Sequence, residues 1–135
     1  MTSSTRPSIF RPEVLAGKTA FVAGGSSGIN LAIARAYAAA GAAVAITSRK
    51  REKVEAAVAS IEASGGRAWG APADVRDYAR MQEVLAEAER TLGALDIIVS
   101  GAAGNFISPA LGMSANAFKT VVDIDLLGTF NGASR

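Results

Sequence analysis

The sequence predicts an α/β fold, a doubly wound parallel sheet with helices on both faces. Three observations lead there. Short apolar runs alternate with amphipathic helical stripes along the chain, which is the pattern of consecutive βα units. The runs are continuous rather than alternating, as in Ile97-Ile98-Val99, and such strands are covered on both sides. Glycines cluster where the first run gives way to the first helix, in Gly24-Gly25-Ser26-Ser27-Gly28.

Taken in order, residues 1–16 hold Pro7 and Pro12 and no clear period, and read as a surface arm anchored by Ile9 and Phe10. The domain itself covers 17–135. Its first strand is 19–23, followed by a helix on which Ile29, Ile33, Ala36, Tyr37 and Ala40 share one face before Gly41 closes it. A second strand, 43–47, leads to a helix striped by Val54, Ala57, Val58 and Ile61 and ended by Ser64-Gly65-Gly66. The third strand is 67–72. Asp77 caps the next helix, which carries Met81, Val84, Leu85, Ala88 and Leu92 on one face. A fourth strand at 95–100 precedes a Gly/Ala-rich loop and a last helix from about Ser114.

Right-handed crossovers and the usual winding give the spatial order 3-2-1-4. The fourth strand lacks any charge, proline or bulge that would protect an edge, so further strands are expected beside it. The last helix has no stop signal before Arg135, which places those strands C-terminal and makes 17–135 an incomplete domain.

Composition narrows the chemistry. The 135 residues include no cysteine and no histidine, so thiolate nucleophiles, zinc-thiolate sites and serine-histidine or zinc-histidine hydrolases are excluded, and no metal site is expected. The net charge of +2 is spread over both signs without a basic block among aromatics, which argues against nucleic acid. No segment is apolar enough to span a membrane and none reads as a secretory leader, so a cytoplasmic location is expected.

The loop at 24–28 has the composition of a pyrophosphate cradle. Gly24 and Gly28 let an anion reach bare backbone N–H groups, Ser26 and Ser27 add hydroxyl donors, and Ile29 opens a helix whose positive dipole end faces the site. An ordinary glycine turn is the plain alternative, but the strand before and the helix after favour a dinucleotide site. No Lys-Ser/Thr pair follows the last glycine, so it is not a nucleoside-triphosphatase loop. After the second strand comes Ser48-Arg49-Lys50-Arg51, where NAD-selective folds commonly place a carboxylate. Three cations in the first turn of a helix oppose its dipole, and an anionic ligand would offset that. The 2′-phosphate of NADP(H) is the candidate, held by Arg49 through two parallel hydrogen bonds with Ser48 and Lys50 beside it. Alternatively Ser48 merely caps that helix, and a solvated helix start accounts for Arg51.

These features resemble the short-chain dehydrogenases/reductases, whose loop reads Thr-Gly-x-x-x-Gly-x-Gly. Here Ala23 replaces the threonine and Asn30 the last glycine. The resemblance implies a Rossmann-like fold, an oxidoreductase using NADP(H), and a homo-oligomer. It implies further that Asp74 and Val75 contact the adenine, and that the cofactor's ribose lies against Gly101, Ala102 and Ala103. Ser100-Gly101-Ala102-Ala103-Gly104 stands where the family has Asn-Asn-Ala-Gly.

One carboxylate stands out in the last helix. Asp125 falls on the stripe of Phe118, Val121 and Val122, and a carboxylate on a core-facing stripe is paired, protonated or functional. In the resembling family this position, in Asn-x-x-Gly-x-Phe, holds the active-site asparagine, so Asp125 in Asp125-Leu126-Leu127-Gly128-Thr129-Phe130 is the catalytic candidate. Together with Ala102-Ala103-Gly104-Asn105-Phe106 and Phe10-Arg11-Pro12-Glu13-Val14-Leu15, this is similar to the 2,4-dienoyl-CoA reductase branch, above all its peroxisomal type. That likeness implies NADPH-dependent hydride transfer to a conjugated enoyl thioester, an acyl-CoA substrate, and a place for Asn105 and Phe106 at its border. Phe106 packing under its loop is the equal alternative. The family's serine, tyrosine and lysine fall beyond Arg135, so this chain alone is expected to be inactive without a C-terminal half or complementary chain. Two rivals remain: a carbonyl or hydroxyl short-chain dehydrogenase of other substrate, and a non-catalytic dinucleotide-binding module in which Asn30, Ser100 and Asp125 mark lost chemistry.

Overall fold

The structure, a computed structural model, describes residues 9–134. Among these, β1 (Thr19–Ala23), β2 (Ala43–Ser48), β3 (Arg67–Pro72) and β4 (Ile97–Ser100) form one parallel sheet in the order β3-β2-β1-β4, as expected. In register, Val22 of β1 stands between Ile46 of β2 and Val99 of β4. The connecting helices are α1 (Gly28–Ala39), α2 (Arg51–Glu62) and α3 (Tyr78–Leu92).

Both faces of the sheet are buried along β1 and β2, while Ile98 of β4 is 36% exposed, so that run is not covered on both sides as expected. On one face, Phe21 and Ala45 meet Met81, Val84, Leu85 and Ala88 of α3. On the other, Val22, Val44 and Ile46 meet Ala34 of α1 and Ala57 and Ile61 of α2. Full burial of a side chain of this size contributes about 1.5–3 kcal/mol, so the two layers fix the sheet and hold its carboxyl ends in place. The α3 stripe is as expected, and Asp77 caps that helix by accepting from the Arg80 N–H.

Four local expectations are corrected. Ile9 and Phe10, expected to anchor the arm, are 91% and 67% exposed; Leu15 packs on the core, and its N–H donates to Ala40 O. Residues 1–8 of that arm lie outside the described residues. On α1 the sheet-facing side is Leu31, Ala34 and Ala38 with Tyr37, while Ile29 is 80% exposed and Ala36 is exposed. Alanines all around this helix blurred its period, and the larger Ile29 drew the stripe to the wrong side. Next, β4 begins at Ile97 rather than 95, because the Asp96 carboxylate accepts from Thr19 N–H and Lys18 Nζ and turns the chain into the ladder.

The last correction concerns the C-terminal helix. It is α4 (Ala115–Val122), capped by Ser114, then a π-type turn at Asp123–Leu127, then α5 (Gly128–Ala133). Gly128 N–H donates to Asp123 O, five residues back, and the wider turn rotates α5 relative to α4. Phe118 is 62% exposed and Asp125 is exposed, so the stripe they were expected to share does not face the core. Nor does the helix run on: Ser134 is extended, and Arg135 lies outside the described residues. No helix among the described residues is long and apolar enough to cross a membrane.

Candidate cofactor site

A cavity of about 420 Å³ opens at the carboxyl ends of the strands, where the order reverses between β1 and β4. This topological switch point is where open α/β sheets bind ligands. The loop after β1 forms one wall. Its Gly24 takes φ 74°, donates to Thr47 O at 2.8 Å, and approaches the next wall so closely that a Cβ would stand 2.9 Å from Ala102 N. Only glycine meets both demands there. Ser27 precedes α1 as its N-cap residue but forms no side-chain cap bond, so its hydroxyl is not used on the helix.

The wall after β2 carries Ser48, Arg49, Lys50 and Lys53. The helix start differs from expectation. Lys50 is the N-cap residue of α2, so Arg49 and Lys50 precede the helix, and its first turn holds Arg51, Glu52 and Lys53. Glu52 offsets part of the dipole conflict inferred from three cations in that turn. Ser48 does not cap α2 either; its Oγ is buried and has no hydrogen-bond partner. Arg51 pairs with Glu55 across one helical turn, which fits a solvated helix start. Among the described residues, no ion pair occupies Arg49, Lys50 or Lys53.

After β3 come Ala73, Asp74, Val75 and Arg76. The Asp74 carboxylate accepts from Arg76 Nε at 2.9 Å and Nη2 at 2.6 Å and from Arg76 N–H at 3.0 Å. These bonds hold its carboxyl below the usual carboxylate range. Val75 is buried, and its carbonyl accepts from the buried Asn131 Nδ2 of α5 at 2.8 Å. Gly128 leaves the room this contact needs, since a Cβ there would meet Val75 Cγ2 at 2.6 Å.

The wall after β4 is Gly101, Ala102, Ala103 and Gly104. Asn30 reaches it from α1, donating from Nδ2 to Gly101 O at 2.7 Å. Ser100, in place of an asparagine, donates to Thr129 Oγ1 at 2.9 Å, and Thr129 donates to Asp125 O at 2.6 Å. Asp125 Oδ1 accepts from Gly104 N–H at 2.9 Å.

Of the residues singled out from the sequence, Gly24, Ser26, Ser27, Ser48, Arg49, Lys50, Asp74, Val75, Gly101, Ala102 and Ala103 all line this cavity. Gly28, Ile29, Asn105, Phe106 and Asp125 do not. Asp125 stands at its edge through Gly104, while Asn105 and Phe106 lie exposed on the loop beyond. Lys53, Arg76 and Ile124 were missed, as was the support from Asn131. Lys53 was legible as a cation three residues past Lys50. An asparagine at the end of an apolar helix offered a weaker signal for Asn131.

Two features suit a dinucleotide. Ser27, at the start of α1, lines the cavity with a hydroxyl not used on the helix, and the orphaned Ser48 Oγ beside cations without ion pairs calls for a hydroxyl or phosphate oxygen. The fold and this glycine-lined switch-point cavity define an α/β dinucleotide-binding domain. The family model of the short chain dehydrogenases matches residues 18–135. A peroxisomal 2,4-dienoyl-CoA reductase [(3E)-enoyl-CoA-producing] of Rattus norvegicus is 44% identical over 91% of this chain and 42% of its own length. Its Arabidopsis thaliana namesake is 40% identical over 90% of this chain and 41% of its own. Among solved structures, the citronellol catabolism dehydrogenase of Pseudomonas aeruginosa superposes with a TM-score of 0.87 at 34% identity, covering 95% of this chain and 52% of that one. The chain belongs to the short-chain dehydrogenase/reductase family of oxidoreductases, and spans about two-fifths of the length of these curated relatives.

The relatives also correct the expected cytoplasmic location, since these reductases are named peroxisomal. The expectation rested on the absence of an apolar leader. A receptor-read organelle address is a short polar tag and leaves no hydropathy signal.

Proposed function

We propose that this chain is the cofactor-binding part of an NADP(H)-dependent reductase that acts on an enoyl- or dienoyl-CoA. The observation that carries the cofactor is the wall after β2, where Arg49, Lys50 and Lys53 stand without ion pairs around the orphaned Ser48 Oγ. A 2′-phosphate there gains charge-assisted hydrogen bonds, whereas a bare ribose hydroxyl leaves the cations unmatched. The loop at 24–28, with Ser26 and Ser27, holds the pyrophosphate; Gly28 and Ile29 start the helix behind it. Asp74, kept anionic by Arg76, and Val75 border the adenine, and Gly101, Ala102 and Ala103 back the nicotinamide ribose.

Bound NADPH supplies a hydride to the substrate. Asp125 acts next to that event, a reading supported by the bond of its carboxylate to Gly104 N–H at the edge of the cavity. Asn105 and Phe106 continue from Gly104 and border the acyl substrate. Acyl-CoA as substrate rests on the dienoyl-CoA reductases among the relatives, and the remaining catalytic groups and self-association belong to the complete protein.

The test uses the complete protein with NADPH and a 2,4-dienoyl-CoA. Asp125→Asn is expected to lower turnover about 100-fold or more while NADPH affinity stays within about twofold, as for a group used in proton handling. Unchanged turnover would make Asp125 a clasp for the Gly104 loop. That second reading is favoured by one observation, the single hydrogen bond its carboxylate already forms with that loop.

A further inference from the structure

The glycine that the family places at position 30 lets the first helix pack closely on the sheet, and here an asparagine fills that space. It does so by reaching out of α1 to the loop after β4. Its Nδ2 donates to Gly101 O at 2.7 Å, and a Cβ on residue 101 would overlap the Asn30 amide. One step away Gly24 is pressed against Ala102, so the loop after β1 and the loop after β4 are joined at two adjacent points, one steric and one a hydrogen bond. Ser100, where an asparagine of the β4 loop would stand, is turned away from these contacts toward Thr129.

We infer that Asn30 is a positioning residue: its amide sets the spacing between the pyrophosphate loop and the wall that carries the nicotinamide half of the cofactor. It stands in for the support that the β4 loop no longer supplies from its own side chains. The far end of the cavity, built by Arg49 and Asp74 on the other side of β1, does not depend on it. This inference rests on the reading of the cavity as an NADP(H) site.

The test separates the two ends of the ligand. Adenosine 2′-monophosphate carries only the groups expected at Arg49 and Asp74, while NADPH must also span the joined loops. Asn30→Leu keeps the branch at Cγ and removes the donor, and Asn30→Gly restores the family residue without the tie. For the complete protein, each variant is expected to weaken NADPH binding about tenfold and to hold the monophosphate within about twofold. An NADPH affinity equal to that of the unmodified chain in both variants overturns the role of Asn30. So does equal loss of both ligands, because that marks general loosening of the fold. If the unmodified chain binds neither ligand, the NADP(H) reading itself fails, and that result is distinct from a failure confined to the variants.

Discussion

Asn30 and Gly101 share one space: the asparagine amide donates to the Gly101 carbonyl at 2.7 Å, and glycine is the residue that leaves room for it. The two positions are therefore coupled. Gly101→Ala is expected to destabilise the chain by about 1–3 kcal/mol through overpacking. Adding Asn30→Gly should return part of that loss, because it removes the clashing group. Urea unfolding of the two single variants and the double variant measures this coupling, and strictly additive effects would refute it.

Arg49 carries the discrimination between cofactors. Arg49→Gln is expected to weaken NADPH binding about 10- to 100-fold, the range for losing charge-assisted hydrogen bonds, and to leave NADH affinity nearly unchanged. Lys53→Gln should give a smaller loss of the same kind, since its ammonium is a single point charge at the cavity wall. Parallel titrations with both nucleotides check these values.

The pH dependence is set by the residue types the chain lacks. With no histidine and no cysteine, none of its side chains ordinarily titrates between pH 5 and 8. Asp74 is held below the usual carboxylate range, so its contribution to stability is present above about pH 4 and is lost only as pH falls through its lowered value. The 2′-phosphate of the ligand, by contrast, gains a proton near pH 6 as a phosphomonoester. NADPH affinity should therefore fall several-fold from pH 8 to pH 5 as that group goes from two negative charges toward one. NADH affinity should stay flat. Isothermal titration at four pH values distinguishes the two curves.

Asn131 fastens α5 to the loop that carries Asp74. Asn131→Leu strands the buried Val75 carbonyl and is expected to cost about 1–3 kcal/mol. A melting temperature equal to that of the unmodified chain would show that water or another donor replaces the bond.

The sheet order and the α3 stripe were legible because continuous strands and a strict helical period survive in the residue pattern itself. The glycine loop was legible for the same reason, since its spacing belongs to a local turn. What escaped depends on partners distant in sequence. Asn30 looked like a defect in the loop until Gly101, on another strand, gave it an acceptor. Asp125 was placed on the core side by counting helical turns, and the π-type turn at Asp123–Leu127 broke that count. Ser48 looked like a helix cap, because sequence spacing does not show that the N-cap stands two residues later, at Lys50. Location was the least readable property, as an organelle address leaves no signal in hydropathy or packing.

The central claim is that this cavity is built for a cofactor bearing a 2′-phosphate, and a side-by-side titration of the complete protein with NADPH and NADH tests it most directly. Binding of NADPH at least about tenfold tighter than NADH at low salt, with the difference shrinking as salt rises, is the predicted result. Equal affinities for the two nucleotides would contradict it.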